Sequence, residues 1–366
     1  MPLVDLIAGA RPNFMKVASI IRAMDDAPPA GFSLDYRLIH TGQHYDAAMS
    51  ADLFAQLEIP EPDVNLNVGS GTQAEQAGAI MVRYEEVLTR QLCDMCLVVG
   101  DVNSTMACSI TARKMLVEVG HVEAGLRSGD WTMPEEINRV VTDSIAGWCF
   151  TTSRSAGDNL LRTGIPEDRI LFVGNTMIDT LLANVTKLRP PTFWTSAGLV
   201  PRRYFVLTLH RPSNVDDEAT LERLLATIGE AARGEKIIFP VHPRTSKSLQ
   251  TIGRLPANII CVSAQPYLEL NYLVQNARAV ITDSGGVTEE STVLGVPCVT
   301  LRTTTERPET VSVGTNEIVG SNPAAITSAF DRIFDGRWKK GGIPELWDGL
   351  AGERIVGHLG RILNQV

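Results

Sequence analysis

"MCLVVGDVNSTMACSITARKMLVEVGHVEAG" (residues 95–125) is the stretch that decides the fold. It begins and ends with short apolar runs, 95–101 and 119–125, and a helix-period segment separates them. Strands that alternate with helices form βαβ units, in which the strands are parallel. Asp101 and Glu123 lie at the carboxyl ends of the two runs. The stretch therefore predicts a parallel sheet with acidic side chains at the ends of its strands.

The same alternation extends in both directions and occurs twice along the chain. Further strands are predicted at 3–9, 36–42, 148–153 and 169–174 in the first set, and at 204–210, 236–242, 258–263, 279–286 and 297–301 in the second. A proline-rich segment, "KLRPPTFWTSAGLVPRR" (187–203), separates the two sets. Because 366 residues are long for one hydrophobic core, we predict two α/β domains of similar size.

Charge and hydropathy argue against two classes of partner. The net charge is −9 and the basic residues are scattered, which disfavours nucleic acid or an anionic membrane surface as the main partner. No apolar stretch reaches the roughly 18 residues of a membrane helix. The first residues, "MPLVDLIAGARP", lack the basic segment of a signal peptide. We therefore expect a cytoplasmic protein that binds no nucleic acid and does not insert into a membrane.

No motif in the sequence indicates a metal or an organic cofactor. Cys93 and Cys96 form one C-x-x-C pair, but no second pair of zinc ligands stands nearby, so buried thiols are favoured over a metal or redox role. The chain has no Walker loop, no G-x-G-x-x-G after its first strand and no H-E-x-x-H.

Polar residues follow many of the predicted strands. Ligands of parallel α/β sheets bind at the carboxyl ends of the strands, because loops and helix N-termini converge there. The polar residues at these ends are Arg11, Gln43, His44, Asp101, Glu123, His210, His242 and Ser284–Gly286. In "TDSGGVTEE" (282–290) a glycine pair precedes a helix, which fits a bound phosphate and equally a tight turn capped by Ser284. Arg11 and Lys16 at a helix start suggest an anionic ligand or solvated charge.

The segment "HVEAGLRSGDWTMPEEINR" (121–139) concentrates acidic residues in a short loop. Glu123 ends a strand, and Glu135 and Glu136 follow Pro134 at a predicted helix start. Acids placed in this way can transfer protons to and from a substrate, although salt-bridged loop residues give the same pattern.

Nine motifs in their order resemble those of the non-hydrolysing UDP-N-acetylglucosamine 2-epimerases. They are "GARPNFMK", "TGQHYD", "GDVNST", "HVEAGLRSGDWTMPEEINR", "GNTMIDTL", "LTLHRPSN", "PVHPR", "TDSGGVTEE" and "TERPET", between residue 9 and about residue 311. The resemblance implies two Rossmann-like domains facing a cleft, like B-type glycosyltransferases. It assigns 1–172 plus 353–366 to the N-terminal domain with the catalytic carboxylates, and 173–352 to the UDP-binding domain.

The resemblance also implies the chemistry. UDP is eliminated as a proton leaves C2 of the sugar, and the 2-acetamidoglucal intermediate takes UDP back with a proton on the opposite face. By motif position Asp101, Glu123 and Glu135 are the catalytic carboxylates, and His210 faces the pyrophosphate. The motifs do not assign a carboxylate to a face. Glu136 and Arg139 would support the acids as an ion-pair shell, with Arg139 counted among the substrate-binding residues.

The substrate-binding residues follow from the resemblance in the same way. Those implied for the pyrophosphate and nearby anionic groups are Arg11, Lys16, Ser284, Gly285, Gly286 and Arg307. Glu290 is implied for the ribose hydroxyls and Gln265 for the uracil. Leu270 stands where some members have an aromatic residue. Tyr267 would supply a ring instead or pack within its helix.

Several positions depart from the family pattern. Asn13 replaces a usual Glu, Pro212 and Ser213 replace charged residues, and Ser144 stands where a His is common. Gln43 would belong to an allosteric site for a second UDP-N-acetylglucosamine. The loop 67–76, however, has Gly69-Ser70-Gly71 where that site needs a basic residue. We therefore expect conversion of UDP-N-acetylmannosamine without activation by the other epimer.

Three alternatives to a UDP-N-acetylglucosamine epimerase remain open from the sequence. They are a glycosyltransferase of the same architecture, an epimerase acting on a modified UDP-N-acetyl sugar, and a non-catalytic nucleotide-sugar sensor. The set of Asp101, Glu123, Glu135 and His210 favours an epimerase over the first and third. By analogy we expect a UDP-N-acetylhexosamine substrate, a homodimer and a role in polysaccharide biosynthesis.

Overall fold

The computed structural model describes residues 1–26, 34–42, 47–241, 243–250, 252–253 and 255–364. The chain divides into two compact units. Unit 1 is Met1–Ala183 with Glu345–Val366, and unit 2 is Asn184–Pro344. Both are parallel α/β sheets with flanking helices, so the predicted fold class is confirmed.

Unit 1 contains a seven-stranded sheet in the order β3-β2-β1-β4-β5-β6-β7. Its strands are β1 Leu3–Ala8, β2 Asp35–His40, β3 Val64–Asn65, β4 Met95–Val99, β5 Glu118–Val122, β6 Trp148–Thr151 and β7 Ile170–Phe172. Its helices are α1 Arg11–Asp26, α2 Ala47–Leu57, α3 Gln73–Arg90, α4 Asn103–Lys114, α5 Pro134–Ile145, α6 Arg154–Arg162 and α7 Thr176–Asn184, whose last residue lies in unit 2. The central strand β4 is buried along its whole length, as expected when helices cover both faces of a parallel sheet.

Unit 2 contains a six-stranded sheet in the order β10-β9-β8-β11-β12-β13. Its strands are β8 Tyr204–Thr208, β9 Lys236–Val241, β10 Ile259–Ser263, β11 Ala279–Thr282, β12 Cys298–Thr300 and β13 Asn316–Ile318. Its helices are α8 Pro212–Val215, α9 Glu218–Ala231, α10 Pro243–Leu249, α11 Tyr267–Asn276, α12 Gly285–Val293, α13 Pro308–Ser312 and α14 Pro323–Phe334; the last helix of the chain, α15 Ala351–Leu363, belongs to unit 1.

The two sheets share one winding pattern. In each, the first strand lies beside the second on one side and beside the fourth on the other. The strand order therefore reverses between β1 and β4 in unit 1, and between β8 and β11 in unit 2. Loops diverge above and below the sheet at such a switch point, which leaves a crevice at the carboxyl ends of these strands. The fold thus directs attention to the loops after β1, β4, β8 and β11.

The compact units give more residues to unit 1 than the predicted domains do, at both boundaries. The prediction divides the chain at 172/173 and 352/353, whereas the compact units divide at 183/184 and 344/345. The cause is the hydrogen bonding of α7. Thr180 on this helix donates from Oγ1 to the carbonyl of Met15, and Asp179 accepts from the amide of Gly352 at the start of α15. Helix α7 therefore belongs with α1 and α15 in unit 1.

Asp179 is a buried carboxylate whose charge costs stability. Its Oδ2 accepts from the Gly352 amide at 2.7 Å, and Oδ1 has no hydrogen-bond partner among the described residues. Burial raises the pKa of Asp179 to about 6, and the amides of Gly352 and Ala351 offset only part of that effect. The folded state therefore favours the protonated, uncharged carboxyl group.

We predict that Asp179→Asn stabilises the protein above neutral pH. In wild type the contribution of this group is fully present below the unfolded pKa of about 3.8 and is lost as pH rises through about 6. The loss is roughly 3 kcal/mol over that interval. Asparagine keeps an acceptor for the Gly352 amide without the charge, so the free energy of unfolding at pH 7.5 should rise by roughly 1–3 kcal/mol.

Denaturant unfolding of both proteins at pH 4 and pH 7.5 tests this prediction. The control is Asp179→Ala, which removes the acceptor and should be less stable than the Asn variant at both values. An Asn variant less stable than wild type at pH 7.5 would contradict the prediction.

Candidate functional site

Glu123 follows β5 directly and is held in an unusual backbone conformation. Its φ is 71°, in the left-handed region that non-glycine residues seldom adopt. The side chain is only 2% exposed and forms a buried ion pair with Lys16 on α1. The amides of Glu123 and Ala124 both donate to the carbonyl of Phe150 on β6, which fixes the turn. Strain held by several interactions is typical of functional positions.

The loop after β4 leaves no room for a side chain beside this ion pair. Gly100 has φ +70°, and a Cβ there would lie 2.7 Å from Nζ of Lys16 and 3.5 Å from Oε2 of Glu123. The glycine therefore permits both the backbone conformation and the close approach of α1 and β5. Because Asp101 is the next residue after Gly100, it follows directly in the same loop.

Asp101 is held by a fully buried arginine. Nε and Nη2 of Arg139 donate to its Oδ2 at 3.0 and 2.7 Å, and the Asp101 side chain remains 30% exposed. Nη1 of Arg139 donates to Glu136 at 2.5 Å. Burial raises the pKa of Glu136, but the amides of Ser128 and Gly129 together with Arg139 outweigh burial and hold that pKa below its usual range. Arg139 is thus placed in the ion-pair shell, bonded to carboxylates.

Glu135 lies beside this network in the first turn of α5. Pro134 at the first helical position starts the helix, and the N-terminal dipole favours the acids that follow it. Glu135 is half-buried, in contrast to the fully buried Glu136. The three predicted catalytic acids therefore all lie in unit 1, in loops or turns at the carboxyl ends of neighbouring strands β4 and β5.

The loop after β1 also meets this edge. Asn13 accepts from the amides of Gly9 and Ala10 at 3.2 and 2.9 Å and donates to the carbonyl of Val99 at 2.9 Å. Asn13, one of the residues that depart from the family pattern, therefore joins the ends of β1 and β4. Arg11 is the first residue of α1 and is half-buried. Its role at a pyrophosphate stays a prediction, as does that of Lys16, which here pairs with Glu123.

His210 follows β8 in unit 2 and pairs with a residue that sequence reasoning missed. Its Nδ1 lies 2.8 Å from Oδ1 of Asp283, and its side chain is 39% exposed. Asp283 also accepts from the amides of His210 and Arg211 and from Asn214. Burial raises the pKa of Asp283, but these donors, His210 first, outweigh burial and lower it. The "TDSGG" motif was the available signal, since Asp283 directly follows β11, the strand that pairs with β8.

The glycine motif begins a helix and does not extend the strand. The prediction of a strand over 279–286 is wrong at its end, because β11 stops at Thr282 and α12 starts at Gly285. Ser284 occupies the N-cap position, but its hydroxyl makes no capping hydrogen bond. The amides of the first helical turn have no partner within the helix and can bind an anion there. A Cβ on Gly285 would lie 2.9 Å from Oε1 of Glu306.

The other predicted binding residues of unit 2 lie in polar pairs. Glu290 accepts from Asn271 at 3.2 Å, and Arg307 donates to Glu289 at 2.5 Å. Gln265 donates to the carbonyl of Ser263 at 2.8 Å. Tyr267 is buried, and burial followed by the charge of Glu290 raises its pKa well above its usual value. Tyr267 is therefore packed in the interior beside Glu290, and its role as a ring for the uracil stays a prediction.

Three residues at predicted strand ends, Gln43, His44 and His242, lie outside the described residues. The predicted allosteric role of Gln43 therefore stays a prediction. Cys93 and Cys96 are buried, and burial raises the pKa of Cys93 to about 12, so it remains a thiol. Among the described residues no helix is both long and apolar enough to cross a membrane.

Comparison with known proteins identifies a family for the chain. A sequence model of the family UDP-N-acetylglucosamine 2-epimerase matches residues 30–360. The UDP-N-acetylglucosamine 2-epimerase of Methanocaldococcus jannaschii is 41% identical over 96% of this chain and 97% of its own. A crystal structure of a UDP-GlcNAc 2-epimerase from the same organism in complex with UDP-GlcNAc and UDP superposes with a TM-score of 0.87 at 40% identity, covering both chains completely.

A second curated relative has a different substrate in its name. The UDP-2,3-diacetamido-2,3-dideoxy-D-glucuronate 2-epimerase of Pseudomonas aeruginosa is 36% identical over 97% of this chain and 99% of its own. Both relatives are 2-epimerases of UDP-linked sugars. From the match over most of its length and these identities, the chain belongs to the UDP-N-acetylglucosamine 2-epimerase family, a family of isomerases.

Proposed function

We propose that the protein is a non-hydrolysing epimerase that interconverts UDP-N-acetylglucosamine and UDP-N-acetylmannosamine. The observation that carries this proposal is the pair of carboxylates at neighbouring strand ends of unit 1. Glu123 is held by buried Lys16, and Asp101 is held by buried Arg139. A structural relative crystallised with UDP-GlcNAc and UDP supports the same nucleotide-sugar as substrate.

The reaction needs a base, an acid and assistance to a leaving group. A carboxylate removes the proton from C2, the C1–O bond breaks with its electrons passing to the β-phosphate of UDP, and 2-acetamidoglucal is formed. In the second half a proton is delivered to the opposite face of C2, and the same phosphate oxygen attacks C1. The net change is inversion at C2 with no water consumed. Acids on two faces of one carbon are therefore required.

The surroundings of Glu123 and Asp101 suit proton transfer. Both carboxylates are oriented by a cation that is itself buried, so their positions are restrained before substrate arrives. A weakly acidic C2 proton demands such restraint, because misplacement by about 1 Å can reduce a rate by about 100-fold. We assign Glu123, Asp101 and Glu135 to the proton transfers, and leave the face that each serves open.

We assign the diphosphate to residues of unit 2. The ionised carboxylate of Asp283 orients His210 and favours the tautomer with the proton on Nδ1. Nε2 is then the ring nitrogen that is available for proton exchange. The N-terminal amides of α12 at Gly285 and Gly286 offer hydrogen bonds to phosphate oxygens. Glu290 and Gln265 are proposed for the ribose and the uracil, as the family resemblance implies.

The Pseudomonas relative supports a second candidate within the same reaction class. Its named substrate carries a second acetamido group and a carboxylate, so a 2-epimerase of this family can accept a modified hexosamine. The glycosyltransferase alternative needs an acceptor and does not need acids around C2. Cytoplasmic location, a homodimer and a role in polysaccharide biosynthesis are further proposals that rest on the family resemblance.

We predict that purified protein exchanges the C2 proton of UDP-N-acetylglucosamine with solvent. In heavy water, proton NMR should detect loss of the C2 signal in both epimers, because the proton that returns comes from an exchangeable acid. Epimerised product that fully retains its C2 proton would contradict abstraction at C2. Incubation with UDP-2,3-diacetamido-2,3-dideoxyglucuronate under the same conditions separates the two sugar candidates, and transfer to an added acceptor without exchange would indicate the glycosyltransferase.

We also predict that two groups of variants fail in different ways. Glu123→Gln and Asp101→Asn should reduce turnover at least 100-fold and keep the affinity for UDP, because these groups act on the sugar. Gly285→Val should reduce UDP affinity, because a branched side chain blocks close approach of a phosphate to the start of α12. Calorimetry with UDP and the C2 exchange rate measure the two effects separately.

The control for Gly285→Val is Gly253→Ala. Gly253 also lies in unit 2, has open space around it and does not need a positive φ, so its substitution tests whether any glycine replacement in this unit weakens UDP binding. Thermal unfolding of each variant separates loss of the site from loss of the fold. A folded Glu123→Gln variant that cannot bind UDP would reverse the assignment of roles.

A further inference from the structure

His121 lies beneath the candidate catalytic loops and belongs to none of the roles assigned above. It is the penultimate residue of β5, two positions before Glu123, and its side chain is fully buried. Its Nδ1 lies 2.7 Å from Oδ1 of Asp143, on α5. Its Nε2 lies 2.8 Å from the carbonyl oxygen of Gly100, the residue before Asp101. The ring therefore joins three segments that carry the proposed catalytic acids.

Both partners of the ring are acceptors. A backbone carbonyl cannot donate a hydrogen bond. Oδ2 of Asp143 accepts from the Gly125 amide at 3.1 Å and from Nη1 of Arg127 at 2.6 Å, and the guanidinium favours the ionised form of this carboxylate. Burial raises the pKa of Asp143, but His121 and Arg127 outweigh burial and lower it. A neutral imidazole has only one N–H, so one of its two contacts would place acceptor against acceptor.

We propose that His121 carries a proton on both ring nitrogens, and that this imidazolium is a positioning residue that sets the Gly100–Asp101 peptide and, through it, Asp101. The protonation follows from the two acceptors that face the ring, with Asp143 kept ionised by Arg127, whereas the effect on turnover rests on the proposed epimerase function. No proton is transferred to substrate by this residue. Its effect is to hold the loop after β4 against β5.

The charges around the ring make a buried cation tolerable. Asp143 pairs with both His121 and Arg127, so this cluster of three has a net charge of about +1 when all are ionised. The neighbouring pairs are Lys16 with Glu123, and Arg139 with Asp101 and Glu136. On β6, the Cys149 thiol lies near Asp143, and burial raises its pKa to about 12, which leaves it uncharged. Every described cation in this region therefore faces a carboxylate.

The hydrogen bond from His121 to Gly100 helps to fix the conformation of the Gly100–Asp101 peptide. The amide of Gly100 donates to the carbonyl of Val122 at 3.0 Å, and its carbonyl accepts from His121. Both polar groups of one glycine are thus bonded to consecutive residues of β5. Loss of the second bond would leave the Gly100 carbonyl buried without its donor and allow the peptide before Asp101 to rotate. A glycine, which lacks Cβ restraint, depends on such bonds for a fixed conformation.

Nitrogen NMR of the full-length protein tests the protonation directly. The protein is labelled with 15N-histidine, and the His121 signals are assigned by their absence in His121→Gln. At neutral pH an exposed imidazole is largely uncharged. We expect both ring nitrogens of His121 to have the frequencies of protonated nitrogens, each coupled to a hydrogen. One unprotonated ring nitrogen would overturn the proposal.

Two amide variants test the positioning role. The amide nitrogen of Gln reaches the place of Nε2 and can still donate to Gly100, whereas that of Asn reaches the place of Nδ1 and faces Asp143. For C2 exchange we expect His121→Gln to retain kcat within about 10-fold and His121→Asn to lose about 10- to 100-fold. KM and UDP affinity should be unchanged in both. Equal losses, or losses that follow thermal stability, would reduce His121 to a packing role and overturn the proposal.

The two measurements also separate this proposal from the function it rests on. If wild type exchanges no C2 proton with any UDP-N-acetyl sugar tested, the epimerase function fails, and the positioning role fails with it. The NMR result is independent of turnover and still decides whether the buried ring is an imidazolium. If wild type is active and the NMR shows a neutral ring, only the proposal about His121 is overturned.

Discussion

The buried ion pair between Lys16 and Glu123 is the contact on which the geometry of unit 1 depends. It joins the first turns of α1 to the end of β5, across β4, and both side chains are almost fully removed from water. Charges buried in this way are stable only as a pair, and removing one partner of such a pair typically costs about 3–5 kcal/mol. Gly100 must lack a side chain so that the pair can form above β4. This electrostatic contact therefore requires a glycine at position 100 and holds α1 against the end of β5.

Unit 2 also contains a buried charge at its switch point, and there the charge is a carboxylate stabilised mainly by uncharged donors. Asp283 stands at its switch point and is compensated by two backbone amides, an Asn and the imidazole of His210. Backbone amides hold an anion without the flexible side chain that a lysine would bring. The result is a rigid carboxylate behind a more exposed histidine. His210 in unit 2 and Asp101 in unit 1 are each oriented by a more deeply buried partner of opposite polarity.

Sequence patterns predicted the architecture because parallel strands are long apolar runs with a clear end. Every strand predicted from the sequence lies on an observed strand, whereas β3 and β13 were missed because they contain two and three residues and are only partly buried. Most predicted strands ran one to four residues too far, since the residues after a strand remain buried against the sheet edge. Glu123 is an example, for it leaves the sheet with φ 71° although its sequence context is apolar.

Contacts between distant segments could not be predicted in the same way. The motifs drew attention to Lys16 as an anion ligand, but its pairing with Glu123 joins positions 107 residues apart. The roles of Asp283 and His121 likewise depend on which strands are neighbours. The domain boundary moved to 183/184 because Asp179 bonds to Gly352, a contact that no local pattern contains. The hydrophobic periodicity of a sequence predicts whether a residue is buried, but it does not predict which residue it packs against.

The density of acids between residues 121 and 139 reflects a division of roles among carboxylates. Glu136 accepts from the amides of Ser128 and Gly129 and so closes the loop onto α5, with its pKa held low. Asp130 accepts from the amide and hydroxyl of Thr132 and forms a local turn. Several hydrogen bonds at once favour the ionised form of Glu136. The loop therefore needs these acids for its shape, whereas Glu123 and Glu135 are the acids of the segment that we propose for proton transfer.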